Sequence, residues 1–181
     1  MYTGKNRTAL ASQRQIADTM TALMREMPYA DISVAELCRR ANVSRQTFYS
    51  LFRSKENVVS YLLHEALGPK PYHEPRPGES SLRYMCRLFS LYVSDHREIL
   101  GLLMKNGQTR LILDKLYRAF QQDGPFVITL PEKNRDYYAL FLAGGLARLE
   151  EEFLRADLDQ QTMEEITFQL LNVGEEDPPG A

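Results

Sequence analysis

Proline limits what this chain can fold into. All nine prolines fall in four places: Pro28, the cluster Pro69 to Pro77, the pair Pro125 and Pro131, and the tail Pro178-Pro179. Proline cannot continue a helix interior, so the long stretches between these points are free to be helical. Their apolar spacing agrees. Ile16, Met20, Leu23, Met24 and Met27 follow the stripe of a helix with one buried face. Leu82, Met85, Leu88, Phe89 and Tyr92 repeat it, as do Leu113, Leu116, Tyr117 and Phe120. No segment shows convincing strand alternation. The short apolar run Phe126 to Leu130 is flanked by proline on both sides and reads as a packed loop. The expected class is all-α.

Helix starts are written in the sequence as well. Ser33-Val-Ala-Glu36 and Thr162-Met-Glu-Glu165 have the form of capping boxes, and Ser44 and Ser54 suit two further N-caps. The plan is helices near 8–27, 34–41, 45–51, 55–67, 80–94, 97–106, 109–122, 134–156 and 163–173. The proline-rich stretch Gly68 to Gly78 marks a natural boundary.

With 181 residues, 44% hydrophobic and 25% charged, the chain can bury a sizeable core in one or two domains. The longest charge-free run, Tyr137 to Ala147, is about half of what a membrane helix needs. No signal peptide is recognisable, and the expectation is a soluble, cytoplasmic protein. Net charge is −2, but residues 1–55 carry nine Lys or Arg against four acids, a balance of +5. A basic N-terminal third on an acidic remainder suits a polyanion-binding head.

The informative stretch is Ile32 to Leu62, ISVAELCRRANVSRQTFYSLFRSKENVVSYL. It reads as a short capped helix, the turn Ala41-Asn42-Val43-Ser44, a second short helix and then a third. Asn42 stands where the turn needs a left-handed residue, and Asn tolerates that conformation best after glycine. Two helices joined in this way form a helix-turn-helix, whose second helix can enter a DNA major groove. On that second helix Phe48 and Phe52 share one side with Leu51 and should pack on Ile16, Met20, Val34 and Leu37. Gln46 and Ser50 project oppositely, flanked by Arg45, Thr47 and Tyr49. Arg can bond guanine bidentately, Gln can bond adenine, and a Thr methyl can touch thymine. Tyr49, Ser33 and Lys55 suit phosphate.

These residues resemble the TetR/AcrR family of one-component transcriptional regulators. The resemblance rests on ISVAEL, RANVSRQTFYSLF and RSKENV, with Ala41, Ser44, Thr47, Phe48, Tyr49, Phe52, Ser54, Lys55 and Glu56 meeting the family pattern. Asn42 departs from it, since the family commonly has glycine there. The resemblance is strong over residues 8–67 and holds only in outline beyond. It implies a helix-turn-helix DNA-binding domain over 1–54 and a helical effector-binding and dimerisation domain over 55–181. It implies DNA contacts from Ser33, Ser44, Arg45, Gln46, Thr47, Tyr49, Ser50 and Lys55. Substituting Lys55 should then weaken all sites alike and flatten their salt dependence.

The C-terminal helices fit the outline. Tyr138, Phe141, Leu142, Gly145, Leu146, Leu149 and Phe153 form one stripe, widened by Tyr137, Leu140, Gly144 and Ala147. A helix apolar over so much of its girth is covered on more than one side. In the family the last two helices build a dimer interface, which places Tyr137, Leu140, Gly144, Ala147, Met163, Ile166 and Leu170 there. A symmetric dimer would present two heads to a palindromic operator. A small-molecule effector pocket, if present, could draw on Tyr61, Met85, Phe89, Tyr92, Met104, Tyr117, Phe120, Tyr138 and Phe141. Met and aromatic residues at helical spacing are more often plain core.

Other readings find less support. His64, His73 and His96 lack metal-ligand spacing, and no metal or cofactor is expected. Cys38 and Cys86 suit buried, inert thiols. The acidic run Glu150 to Glu152 reads as solvated. There is no glycine-rich phosphate loop, GxSxG elbow or HExxH, so an enzyme is not expected. Some proteins that resemble the family, such as coactivators of dihydroxyacetone kinase operons, act through a protein partner. That reading stays open, as does a helical ligand carrier, although the +5 head argues against the carrier. The favoured expectation is a homodimeric transcriptional regulator, repressor rather than activator, released from its operator when an effector changes the distance between heads.

Overall fold

The computed structural model describes residues 3–66, 74–121 and 133–172, and every regular element among them is helical. The order is α1 (Arg7–Glu26), a single 3₁₀ turn (Tyr29–Asp31), α2 (Val34–Arg40), α3 (Arg45–Leu51), α4 (Lys55–Ala66), α5 (Ser81–Asp95), α6 (Arg97–Lys105), α7 (Thr109–Gln121), α8 (Arg135–Arg155) and α9 (Gln160–Leu171). The expected loop over Phe126 to Leu130 lies outside the described residues, as do His73 and the proline tail.

The chain forms two compact units. One gathers α1 to α4 with Leu102–Gln108, and the other gathers the remaining helices. By packing, α4 goes with the first unit, so the division falls later than residue 54. The tie is the α1 to α4 contact, supported by Tyr61, whose ring meets the Phe52 ring edge-on at 5.6 Å.

In the first unit, Asn6 caps α1 by accepting from the Thr8 and Ala9 N–H groups at 2.9 and 3.2 Å. Met27 leaves the helix extended, as a residue before proline must. Ile16, Met20, Leu23 and Met24 are buried along one face of α1 against α2, α3 and α4. The short turn that follows was not anticipated from sequence. Asn106 fixes it: its side-chain oxygen accepts from the Tyr29 N–H at 2.7 Å, and its amide nitrogen donates to the Met24 and Leu102 carbonyls at 3.1 and 2.9 Å.

In the second unit α5 packs on α9 and α7 on α8. Arg83 of α5 pairs with Glu165 of α9 at 2.6 Å and lies over the Phe168 ring at 3.4 Å. The start of α9 differs from the expected box. Asp159 is the cap, accepting from the Thr162 N–H at 2.9 Å, so Thr162 falls within the first turn. Two polar groups lie in the interior. Arg87 of α5 holds Glu79 with two bonds of 2.7 Å, and Glu150 of α8 is wholly buried. The expectation that Glu150 is solvated is therefore corrected, because the helical turn carries it inward beside Leu146 and Phe153 while Glu151 and Glu152 remain partly open.

The inward face of α8 also differs from the expected stripe. Ala139, Ala143, Leu146, Ala147, Glu150 and Phe153 are buried, whereas Tyr137, Tyr138, Leu140 and Phe141 are exposed. The small side chains of α8 are turned inward and its large apolar groups outward.

Candidate nucleic-acid interface

The head is built on two capped short helices. The Ser33 hydroxyl accepts from the Glu36 N–H at 3.1 Å to start α2, and the Glu36 carboxylate is occupied by Arg39 at 2.6 and 2.9 Å. Arg39 holds that carboxyl below its ordinary range. The turn passes through Asn42 at φ 49, the left-handed conformation that its sequence position required. Ser44 then caps α3, accepting from the Thr47 N–H at 2.9 Å, and the two hydroxyls lie 2.8 Å apart. Ser50 closes the helix by donating to the Thr47 carbonyl at 2.7 Å.

Burial divides α3 as its wheel predicts. Phe48 and Leu51, with Phe52 just beyond, are buried on the side that also holds Ile16, Met20 and Leu37, while Val34 is only half-buried. Arg45, Gln46, Tyr49 and Ser50 are exposed, and no hydrogen bond within the described residues occupies Arg45 or Gln46. Tyr49 meets the Phe48 ring edge-on at 5.3 Å, which orients it, and it is 55% exposed. A single outward helix face thus carries a guanidinium, a carboxamide, a phenol and a hydroxyl on a rigid aromatic base.

Lys55 has its donors engaged within the head. Its ammonium donates to the carbonyls of Tyr29, Ala30 and Ile32 at 2.9, 3.2 and 3.0 Å and sits 4.4 Å from the Tyr29 ring centroid. An ammonium has three donors, and all three are used inside the protein, so Lys55 is a structural tie for the 3₁₀ turn. Arg39 and Arg40, expected to supply a basic surround, are paired with Glu36 and Glu26. Arg53, by contrast, is exposed and lines an open cleft of about 380 Å³ with Ser33, Tyr49 and Ser54. Glu36 and Glu26 are already counted in the balance of +5, so the excess rests on the other cations of the head.

The nine residues considered for an effector pocket fall in both units. Tyr61 packs in the head on Phe52, and Met104 belongs to that unit. Met85, Phe89 and Phe120 are buried core of the second unit, with Phe89 and Phe153 ring centroids 6.4 Å apart. Tyr92 stacks near Phe89, and Tyr117 accepts from Gln121 at 2.7 Å. Tyr138 and Phe141 are on the surface, 46% and 75% exposed, so they continue the outward face of α8. Of the residues assigned to a dimer face, Tyr137, Leu140, Gly144 and Leu170 are exposed and Ile166 is half-buried. Ala147 and Met163, also assigned there, are buried within the chain.

The two thiols are enclosed. Burial pushes Cys38 up and raises Cys86 to about 12. Among the described residues no group of His, Cys, Asp and Glu could hold a metal ion, and no helix is long and apolar enough to cross a membrane.

Two capped helices about a left-handed Asn, with the second displaying groups that bond base edges, define a helix-turn-helix head. Residues 16–62 match the family described as bacterial regulatory proteins, tetR family. It is 48% identical over 61 residues to the HTH-type transcriptional regulator EthR of Mycobacterium tuberculosis, covering 32% of this chain and 28% of that protein. It is 33% identical over 54 residues to the HTH-type dhaKLM operon transcriptional activator DhaS of Lactococcus lactis subsp. lactis, covering 30% and 29%. The chain therefore spans under a third of the length of the curated relatives it matches. Over most of its length it shares the fold of a TetR transcriptional regulator from Streptococcus agalactiae, with a TM-score of 0.57 at 18% identity, covering 91% of this chain and 96% of that one. A solved structure of a dihydroxyacetone kinase operon activator DhaS is similar at the same TM-score and 16% identity, with the same coverage.

Proposed function

We propose that this protein is a homodimeric, sequence-specific DNA-binding regulator of transcription that reads a palindromic operator with α3. The observation that carries this reading is the exposed face Arg45, Gln46, Tyr49 and Ser50, set on buried Phe48 and Leu51. Arg45 and Gln46 have no competing partner within the described residues, so their hydrogen-bonding capacity is available to base edges. The regulator acts by occupancy, as a repressor, because a dimer seated on a promoter excludes other proteins without needing a further surface. Release follows when a small-molecule effector in the second unit alters the spacing of the two heads.

Dimerisation is supported by the outward face of α8. Tyr137, Leu140 and Phe141 are 75%, 58% and 75% exposed, Leu170 of α9 is 51% exposed, and Gly144 and Gly145 leave space for a close approach. Exposed apolar side chains of this kind suit a protein interface, and two-fold symmetry makes it self-complementary. Phe141→Glu is expected to shift the protein to monomer in sedimentation. Because binding two half-sites then loses its effective-concentration advantage, operator affinity falls about tenfold or more. A dimer of unchanged stability would remove this face from the interface.

The experiment that tests the function is selection of genomic fragments by the purified protein at near-physiological salt, followed by sequencing. A short palindrome is expected. Arg45→Ala should cost about 1–3 kcal/mol on it and relax preference at one base pair per half-site. Binding with no enriched site would reject the operator model and favour action through a protein partner. That second reading is supported by the fold shared with DhaS, which is named an operon activator.

A further inference from the structure

Asn106 lies outside α1 to α4 and yet ties them. It stands just past the end of α6, in the stretch Leu102–Gln108 that packs with the first unit. Its Oδ1 atom accepts from the Tyr29 N–H at 2.7 Å, 77 residues away in sequence. Its Nδ2 atom donates to the Met24 carbonyl at 3.1 Å, 82 residues away, and to the Leu102 carbonyl at 2.9 Å. The carboxamide thus joins the last turn of α1 to the 3₁₀ turn that follows it. That turn carries the start of the helix-turn-helix, because Ile32 and the cap Ser33 come next. Its Tyr29 and Ala30 carbonyls, with that of Ile32, also hold Lys55 at the start of α4. One half-buried side chain therefore fixes the piece from which both α2 and α4 take their position around α3.

Of Asn6, Asn42, Asn57, Asn106, Asn134 and Asn172, only Asn106 precedes a glycine. Gly107 turns the corner at φ 70, is exposed, and has no side chain to shield its own nitrogen. We propose that Asn106 is a site of spontaneous deamidation, and that its conversion to an acid opens this tie and disables the head for DNA. The Gly107 nitrogen attacks the Asn106 Cγ. The N–Cγ bond forms, the Cγ–Nδ2 bond breaks, and ammonia leaves with the proton of the Gly107 N–H. Water then opens the cyclic imide at one of its two carbonyls, giving aspartate or isoaspartate. The net change is amide plus water to carboxylate plus ammonium, with no oxidant or reductant. The effect on the head rests on the DNA-binding reading, whereas the conversion itself does not.

The folded corner controls the rate. The Gly107 N–H is bonded to the Met104 carbonyl at 2.9 Å, and both polar atoms on the Asn106 Cγ are held. Attack needs the Gly107 nitrogen turned onto Cγ, so it proceeds from local openings and not from the closed form. A duplex bound to the closed head slows it. The product cannot restore the tie. A carboxylate still accepts from the Tyr29 N–H, but it has no donor for the Met24 and Leu102 carbonyls. It also sets a negative charge against two carbonyl oxygens. Isoaspartate lengthens the main chain by a methylene and displaces the corner further. With the turn released, Ser33 and the three carbonyls on Lys55 lose their reference to α1, and α3 is no longer held in a reading pose.

The test ages the full chain in warm, mildly alkaline buffer and follows the peptide carrying Asn106 by mass spectrometry. Duplex affinity and melting temperature are read on the same samples. Asn106 is expected to convert while Asn42 and Asn134, which precede valine and arginine, stay amides. The urea-unfolded chain should convert about tenfold or more faster than the folded one. Duplex binding should fall in step with conversion, to about tenfold weaker in the fully converted protein, which also melts lower. Fresh Asn106→Asp should bind and melt like the aged wild type. A folded chain that keeps Asn106 as an amide while the unfolded chain converts would overturn the assignment. Equal rates in the two states would do the same, as would converted protein that binds and melts like fresh protein. If fresh wild type bound no duplex, the DNA reading alone would fail, because conversion and melting are measured without DNA. Should Asn106→Asp not fold, the aged wild type, folded at the outset, decides the matter.

Discussion

Glu150→Gln is expected to raise stability by about 3 kcal/mol at pH 7 and to flatten the pH dependence between about 4.5 and 8. Glu150 is fully buried on α8, and among the described residues neither carboxyl oxygen has a hydrogen-bond partner. Burial raises its pKa from 4.5 to about 8. The folded protein therefore keeps the proton across a range in which the unfolded chain releases it. Whatever stability the protonated acid contributes is complete below about 4.5 and is lost as pH rises through 8. Each pH unit in that window costs about 1.4 kcal/mol. A glutamine has the same shape and never ionises, so it removes this cost. The measurement is thermal melting at several pH values, where the variant should melt about 5–10 °C above wild type at pH 7 and match it near pH 4. Equal melting of both proteins at pH 7 would mean that Glu150 finds a partner in solution.

Arg87→Ala works in the opposite direction. The Arg87 and Glu79 side chains are 2% and 8% exposed, joined by two bonds of 2.7 Å, and Arg87 also donates to the Glu74 carbonyl at 3.3 Å. Removing the guanidinium strands a carboxylate, which costs about 3 kcal/mol. We take the lower end of the range for buried pairs because residues 74–78, which include the Glu74 partner, are exposed. The Arg87 bonds lower Glu79 from 4.5 to about 2. This contribution is present above about 4.5 and disappears as pH falls through 2, the reverse of Glu150. Replacing both residues, as Arg87→Met with Glu79→Leu, should recover most of the loss. Denaturant unfolding of the two singles and the double gives the coupling directly, and additive losses would show that the pair does not act as a unit.

The all-helical class and the helix-turn-helix were legible in the sequence because their causes are local. Proline excludes helix interiors, Ser33 and Ser44 satisfy free N–H groups within their own first turns, and Asn42 tolerates φ 49. The outward set Arg45, Gln46, Tyr49 and Ser50 follows from a helical wheel and a strong apolar base. Even the α9 start was missed by only a few residues, where Asp159 took a role that Thr162 could also have filled.

What the sequence could not decide depended on partners distant in the chain. A lysine at the start of α4 reads as a phosphate ligand until three carbonyls from the preceding turn claim its donors. On α8 every rotation satisfies hydrophobicity, since large apolar residues lie nearly all round it. Close packing against α7 chose the alanines for the inside, took Glu150 with them, and left Tyr137, Leu140 and Phe141 facing out. Local rules set where each helix begins and ends. Only the tertiary contacts settle which of its side chains are already spent and which remain free to bind.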